Sequence, residues 1–155
     1  MRRIVATMDD SSLISARASE ASLHLTLLNV PAAAESARRA VLRFLAPHAV
    51  APAALFNVEL VLEEAVMNLV RHAFERPACA AIEVTVSISK DVITLHVEDE
   101  GIAFDPRQAP APPRPDSLAD AAPGGLGLML VRKRARSLHY ERKGSRNCLT
   151  ITVGR

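Results

Sequence analysis

The stretch "LEEAVMNLVRHAF", residues 62–74, predicts an amphipathic helix whose polar margin decides how the rest of the chain is interpreted. At about 100° per residue, its apolar side chains share one arc that can pack against a sheet. Glu64, Asn68 and His72 recur every fourth residue along one edge of that arc, and Glu63 lies at the other edge. The spacing therefore places an acid, an amide and an imidazole side by side at the boundary of a core.

Two interpretations of this margin are open. In a cleft, the Asn68 amide can offer an oxygen to a hard cation, and the Glu64 carboxylate can accept a proton. Alternatively, the margin is a solvated flank with an ordinary hydrogen bond between residues four apart. Taken alone, the helix favours the solvated flank.

A second segment, "VEDEGIAFDP" at residues 97–106, follows an apolar strand. Asp99 ends that strand, and Gly101 leaves room for a flat group to approach the backbone. A carboxylate at this place can accept a hydrogen bond from an exocyclic amino group. A tight turn capped by the Asp99 side chain explains the same residues equally well.

A third segment, "PGGLGLMLV" at residues 123–131, opens a helix with glycines. Backbone N–H groups and the positive end of the helix dipole form a ready site for phosphate there. The segment lacks the Gly-Lys-Ser/Thr of a Walker loop, and Leu130 stands where a dinucleotide fingerprint needs its third glycine. A glycine-rich hinge is the alternative interpretation.

Composition limits the class of protein. The 155 residues are most simply one domain with a real core, since 49% are hydrophobic and 23% are charged. No stretch approaches the roughly 20 apolar residues that span a bilayer, and acids stand where a signal peptide would be apolar, so we expect a cytoplasmic protein without a membrane partner. Cys79 and Cys148 are isolated from each other and from histidines at ligand spacing, which favours buried free thiols over a disulfide or a zinc site.

The order of predicted elements gives the fold class. A strand at 22–30, a helix after Pro31 and a second helix at 55–74 precede two hairpins, which are separated by a loop and a helix. The loop, residues 106–123, holds six of the ten prolines. Strand runs without regular βαβ alternation predict an α+β protein with helices on one face of a largely antiparallel sheet. Residues 1–21 give weak signals and are interpreted as a partly ordered N-terminal extension.

Together, the three motifs resemble a known family. E-x-x-x-N on a helix, D-x-G after a strand, a long loop and G-x-G opening a helix are similar to the ATP-binding domain of the GHKL superfamily, which includes histidine kinases, gyrase, Hsp90 and MutL. Within it, "EEAVMNLVRHAF", "DEGIAFDP" and "GGLGLMLV" most resemble the anti-sigma-factor serine protein kinases. The resemblance covers residues 22–154. It implies the two-layer α/β sandwich of the Bergerat fold, with helices on one face of a mixed, mostly antiparallel sheet, as one domain over 22–155.

The resemblance also implies the roles of individual residues. Glu64 is expected to be the general base that prepares the acceptor serine, and Asn68 the ligand of the Mg²⁺ ion that bridges the ATP phosphates. Asp99 is expected to read the adenine amino group, with Gly101 permitting its close approach, and residues 106–123 to form the ATP lid. The other residues implied to contact the nucleotide are Arg71, His72, Ala103, Phe104, Gly124, Gly125, Leu126, Gly127 and Leu128.

The last hairpin departs from the family pattern. Relatives often place a threonine shortly after a glycine, whereas this chain reads "GSRNCLT" at residues 144–150. Ser145 and Thr150 are the candidates to replace that threonine.

The implied function is partner switching. Transfer of the ATP γ-phosphoryl group to a serine of a STAS-type anti-anti-sigma protein would release that protein and free the kinase to sequester a sigma factor. Relatives commonly form homodimers, so a second copy of the chain is a further expected partner. The alternative is a nucleotide-dependent module that binds sigma or another partner but transfers no phosphate.

Nucleic-acid binding is the other class that the sequence raises. Basic residues concentrate near the C-terminal end, but no aromatic platform accompanies them and part of the set is the ordinary solvated face of a helix. We therefore expect no direct contact with nucleic acid. The residues concerned are Arg132, Lys133, Arg134, Arg136, Arg142, Lys143 and Arg146.

Overall fold

The computed structural model describes residues 12–73, 81–108 and 125–155. In chain order the elements are β1 Leu13–Ala18, β2 Ser22–Leu27, α1 Ala33–Leu45, a short 3-10 turn Ala46–His48, α2 Pro52–Ala73, β3 Ile82–Ile88, β4 Val92–Asp99, α3 Gly125–Arg134, β5 Ser137–Lys143 and β6 Arg146–Gly154. The predicted order of elements is therefore present, with one strand added at the beginning.

The six strands of the described residues form one sheet in the order β1-β2-β3-β4-β6-β5. Each ladder between the described strands is antiparallel. The last strand, β6, lies inside the sheet, where it pairs with β4 on one side and β5 on the other. Its register with β4 sets Asp99 opposite Asn147.

The helices pack on one face of this sheet, as predicted. α2 begins at Pro52, whose missing N–H is tolerated in a first helical turn. Its buried side runs from Val58 through Leu62 to Val66, each with no exposed surface. Farther along, Val70 is buried at 2% exposure while Leu69 is only half-buried, because the apolar stripe drifts around a helix of 3.6 residues per turn. The two-layer α+β architecture is thus confirmed.

The opposite face of the sheet is polar and carries small networks of side chains. On β2 and β3, His24 bonds Thr85 at 2.9 Å and lies 2.9 Å from the Glu83 carboxylate. Inward residues of the same strands, such as Leu25 and Val84, are fully buried. This alternation is the pattern of an antiparallel sheet with one face on a core and one face in solvent.

Two segments that the sequence left without regular structure are described only in part. Part of the segment interpreted as an N-terminal extension, Leu13–Ala18, is the edge strand β1 of the sheet. Most of the Pro-rich segment 106–123 lies outside the described residues; its first residues, 106–108, form a turn. Within the described ranges, every helix is too short or too polar to cross a membrane.

Candidate functional site

Glu64 lies directly against the glycine turn that opens α3. The Glu64 side chain is half-buried, and Gly127 is buried beneath it. A Cβ atom at residue 127 would collide with the Glu64 carboxylate, at Oε2 and at Cδ. Only a glycine therefore lets the Glu64 carboxylate rest in this place, so the first and third motifs meet in the fold.

Asn68 and its neighbours extend the same margin of α2. Asn68 is half-buried one turn after Glu64, and Arg71 is exposed. The backbone of His72 belongs to α2, but its side chain lies outside what the structure describes. An amide oxygen and a carboxylate are thus placed one helical turn apart at the boundary between core and solvent.

Asp99 is fixed by the turn that follows β4. The Gly101 N–H donates to Asp99 Oδ1 at 2.6 Å, so the tight turn is capped by the Asp99 side chain. A Cβ atom at residue 101 would lie 2.5 Å from the same oxygen, so any larger residue would displace the Asp99 carboxylate from this position. The capped turn and an adenine-reading carboxylate are compatible, because a carboxylate has about four acceptor positions.

Asn147 is the functional candidate that sequence reasoning missed. Its side chain is buried at 6% exposure, and its Nδ2 group donates to Asp99 Oδ1 at 3.1 Å, to Asp99 Oδ2 at 3.2 Å and to the Ile102 carbonyl at 3.0 Å. Its Oδ1 accepts from the Tyr140 hydroxyl at 2.8 Å and from Arg142 Nη1 at 2.7 Å. This buried amide holds the Asp99 carboxylate and the backbone beyond it in one position.

The two residues proposed to replace the family threonine lie elsewhere. Ser145 is exposed in the turn between β5 and β6. Thr150 points to the polar face of the sheet, where its hydroxyl bonds His96 Nδ1 at 2.8 Å. Asn147, in phase with the buried Ile151 and Val153, takes the position facing Asp99. An amide in phase with the apolar side of β6 was the available signal.

The end of the second motif is tied to α3. Arg132 donates to the carbonyl of Pro106, and Arg107 pairs with Asp105 at 2.8 Å. The hydrogen bond from Arg107 outweighs the opposing effect of burial and lowers the pKa of Asp105. The hydrogen bond from Arg132 to Pro106 holds the start of segment 106–123 beside α3.

The remaining residues named by the resemblance are placed less completely. Ala103 is exposed and Phe104 half-buried, both in the turn after β4, and Leu128 is half-buried on α3. Gly125 opens α3, whereas Gly124 and the side chain of Leu126 lie outside the described residues.

The three motifs lie on one side of the sheet. Asp99 follows the inward phase of Ile93, Leu95 and Val97, so its side chain is on the helical side. Glu64 is on α2, which packs on that side, and it contacts α3. The Glu64 carboxylate, the Asn68 amide oxygen and the N–H groups in the first turn of α3 can thus be presented to one polar ligand.

Comparisons with known proteins agree with this architecture. Residues 28–153 match the family described as histidine kinase-like ATPase domain. The serine/threonine-protein kinase BtrW of Bordetella bronchiseptica is 43% identical over 97 residues, which make up 63% of this chain and 68% of that protein. A chain in the crystal structure of the SiaB–SiaC complex from Pseudomonas aeruginosa matches with a TM-score of 0.54 at 15% identity, covering 85% of this chain and 89% of that chain.

Each comparison supports a different statement. At 15% identity the match with the solved structure concerns the fold alone. The family match spans most of the chain, and the identity with BtrW extends over more than two thirds of that kinase. The chain therefore belongs to the histidine kinase-like ATPase family, in the group that includes the serine/threonine-protein kinase BtrW.

Proposed function

We propose that this protein is an ATP-dependent protein-serine kinase and anti-sigma factor, which phosphorylates a STAS-type anti-anti-sigma protein and sequesters a sigma factor. Family membership implies ATP binding. The observation that carries the proposal further is the placement of Glu64, one turn from Asn68 and packed against Gly127. This placement supports the proposal that Glu64 accepts a proton beside a metal-ligand oxygen of Asn68, near the first turn of α3.

In the proposed reaction, Glu64 takes the proton of the acceptor serine. The serine oxygen then bonds to the γ-phosphorus of ATP, the bond from that phosphorus to its bridging oxygen breaks, and ADP leaves with the electron pair. Phosphoryl transfer depends mainly on positioning and on neutralising charge. The contact with Gly127 limits where the Glu64 carboxylate can lie, which serves positioning.

Asn68 fits the Mg²⁺ ion that the family implies. Its amide offers a hard oxygen from a half-buried side chain, and Mg²⁺ is usually held by few protein oxygens together with waters and phosphates. When bound, the ion neutralises charge on the phosphates. Arg71 and His72, on the following turn of α2, are proposed to contact the phosphates.

Asp99 is proposed to accept a hydrogen bond from the adenine amino group, and Asn147 to position it. The Asp99 carboxylate accepts one hydrogen bond from the Gly101 N–H and two from the Asn147 amide. Acceptor capacity remains at Oδ2, since among the described residues only Asn147 donates to it.

Replacing Asn147 tests this arrangement. We expect Asn147→Ala to weaken ADP binding about tenfold, as expected for loss of hydrogen bonds that orient a charged acceptor. Binding of inosine diphosphate, which lacks the amino group, should change much less, so the preference for ADP over inosine diphosphate falls. Calorimetry with both nucleotides measures the ratio of the two affinities.

Thr150→Val, on the opposite face of the sheet, is the matched control and should leave both affinities unchanged. An equal loss of affinity for both nucleotides in Asn147→Ala would reduce Asn147 to a structural role.

Partner switching follows from the transferred charge. A phosphoserine adds about two negative charges to an interface, which is enough to release one partner and free a surface for another. A homodimer stays a prediction from the resemblance.

The basic side chains considered for nucleic-acid binding are partly engaged within the protein, since Arg142 bonds Asn147 and Arg146 bonds Glu98.

The direct test is phosphotransfer in solution. The protein is incubated with Mg²⁺, ATP and a candidate STAS protein, and the products are read by mass spectrometry. We expect stoichiometric ADP and one phosphoserine on the STAS protein, absent when its acceptor serine is replaced by alanine. If no STAS candidate is modified although ATP binds, the kinase assignment is wrong.

A second candidate is a nucleotide-dependent binding module that transfers no phosphate. The observation favouring it is the same contact, because a carboxylate packed on Gly127 also fits a purely structural role. This candidate predicts ATP-dependent capture of a sigma factor that is indifferent to the loss of the Glu64 charge.

A further inference from the structure

A cluster of potential metal ligands lies on the polar face of the sheet, away from the nucleotide site. His96 and Glu98 are two residues apart on β4, so their side chains share one face. Cys148 of β6 pairs directly opposite Glu98 in the antiparallel register. Rigid backbone on two central strands therefore holds an imidazole, a carboxylate and a thiol together.

The distances within this cluster are close to those of a metal site. His96 Nε2 lies 3.2 Å from Glu98 Oε1, and Cys148 Sγ lies 3.4 Å from the same oxygen. All three ligand atoms are within 4.8 Å of one another. In a tetrahedral zinc site with bonds of about 2.0–2.3 Å, neighbouring ligand atoms are about 3.5 Å apart. Small side-chain shifts are enough to surround an ion.

Outer hydrogen bonds orient two of the three ligands. The Thr150 hydroxyl bonds His96 Nδ1 at 2.8 Å, which turns Nε2 toward the cluster. Arg146 Nη1 holds Glu98 Oε2 at 3.1 Å, which leaves Oε1 facing the imidazole and the thiol. Partners of this kind are the usual support of metal-ligating histidines and carboxylates.

We propose that His96, Glu98 and Cys148 form a binding site for a zinc-class divalent metal ion, with the fourth position open to water or to a group of another molecule. Nitrogen, oxygen and sulfur donors suit Zn²⁺ and Co²⁺ rather than Mg²⁺. A thiolate and a carboxylate balance the two charges of the ion, and the thiol proton passes to solvent on binding. Spacing along the sequence did not indicate this site, because the cysteine is on a different strand from the other two ligands.

Cobalt provides the direct test. The full-length protein, reduced and free of nucleotide, is titrated with Co²⁺ while the near-ultraviolet thiolate-to-cobalt charge-transfer absorption is followed. Zn²⁺ affinity is measured by competition with a chromophoric chelator. We expect saturation at one ion per chain, with the charge-transfer band present. Thr150→Val, which removes only the bond that orients His96, should weaken the affinity about 10- to 100-fold.

Direct ligand variants and matched controls complete the experiment. Cys148→Ser should abolish the charge-transfer band, and His96→Gln should weaken binding by more than Thr150→Val does. His24→Gln removes a histidine from the same sheet face, where its neighbours are Thr85 and Glu83 rather than Cys148, and should change nothing. Cys79→Ser should likewise keep the band. Absence of saturable binding in the wild type, or wild-type affinity in both His96→Gln and Cys148→Ser, would show that the cluster is only a hydrogen-bonded network and would overturn the proposal.

Discussion

Phosphotransfer to a STAS protein is expected to fall about 10²- to 10⁴-fold in Glu64→Gln, the range usually lost with a positioned general base. The amide keeps the size of the carboxylate and can occupy the same place against Gly127, but it cannot take the proton of the acceptor serine. ATP affinity should stay within a few-fold of the wild type. Single-turnover kinetics, together with calorimetric binding of ATP, separate the two effects.

Glu63→Gln is the matched control for this variant. Glu63 precedes Glu64 on the same helix but is exposed on its other side, so the change in charge is equal while the position differs. Transfer by Glu63→Gln should match the wild type. Full transfer activity in Glu64→Gln would remove Glu64 as the base, and loss of ATP binding in that variant would assign it to binding instead.

Gly127→Ala is expected to impair transfer without destabilising the protein. The new Cβ atom would overlap with the Glu64 carboxylate, which is the far end of a flexible side chain and can move away. Alanine is also the better helix former by about 1 kcal/mol, so the melting temperature should be maintained or rise slightly. Displacing a reacting group by about 1 Å can cost 10²-fold in rate, and we expect a loss of that order in single-turnover transfer.

A double variant shows whether this loss acts through Glu64. In a Glu64→Gln background the proposed base is already absent, so Gly127→Ala should add little further loss, whereas independent effects would multiply. Gly154→Ala is the control glycine, because nothing lies within 4 Å of a Cβ at that position. Multiplied losses in the double variant would contradict the proposed contact between the two motifs.

Local patterns were sufficient to predict most elements of the fold. The helical stripe around Leu62 and the alternation along β3 and β4 follow from which side chains can be buried, and that requirement is written in neighbouring residues. The edge strand β1 was not predicted, because an edge is half-exposed on both faces and "LISARA" alternates only weakly.

Pairing between distant strands could not be predicted from local sequence patterns. Sequence alone predicted the last hairpin, but not that β6 would take the inner place beside β4. The contrast between the fully buried Ile151 on β6 and the half-buried Leu138 on β5 reflects that choice. The hydrogen bonds from Asn147 to Asp99 depend on the register of this pairing, so the sequence alone could not predict them.

The position of β6 between β4 and β5 also has a consequence for synthesis of the chain. A ribosome delivers β4 before β6, so for a time the nascent chain carries β4 with one edge still unpaired. Until β6 docks, that edge is open to pairing with other nascent chains, and Asp99 lacks the amide that holds it. The arrangement proposed to recognise adenine should therefore form only when β6 docks, and not already with the emergence of α2.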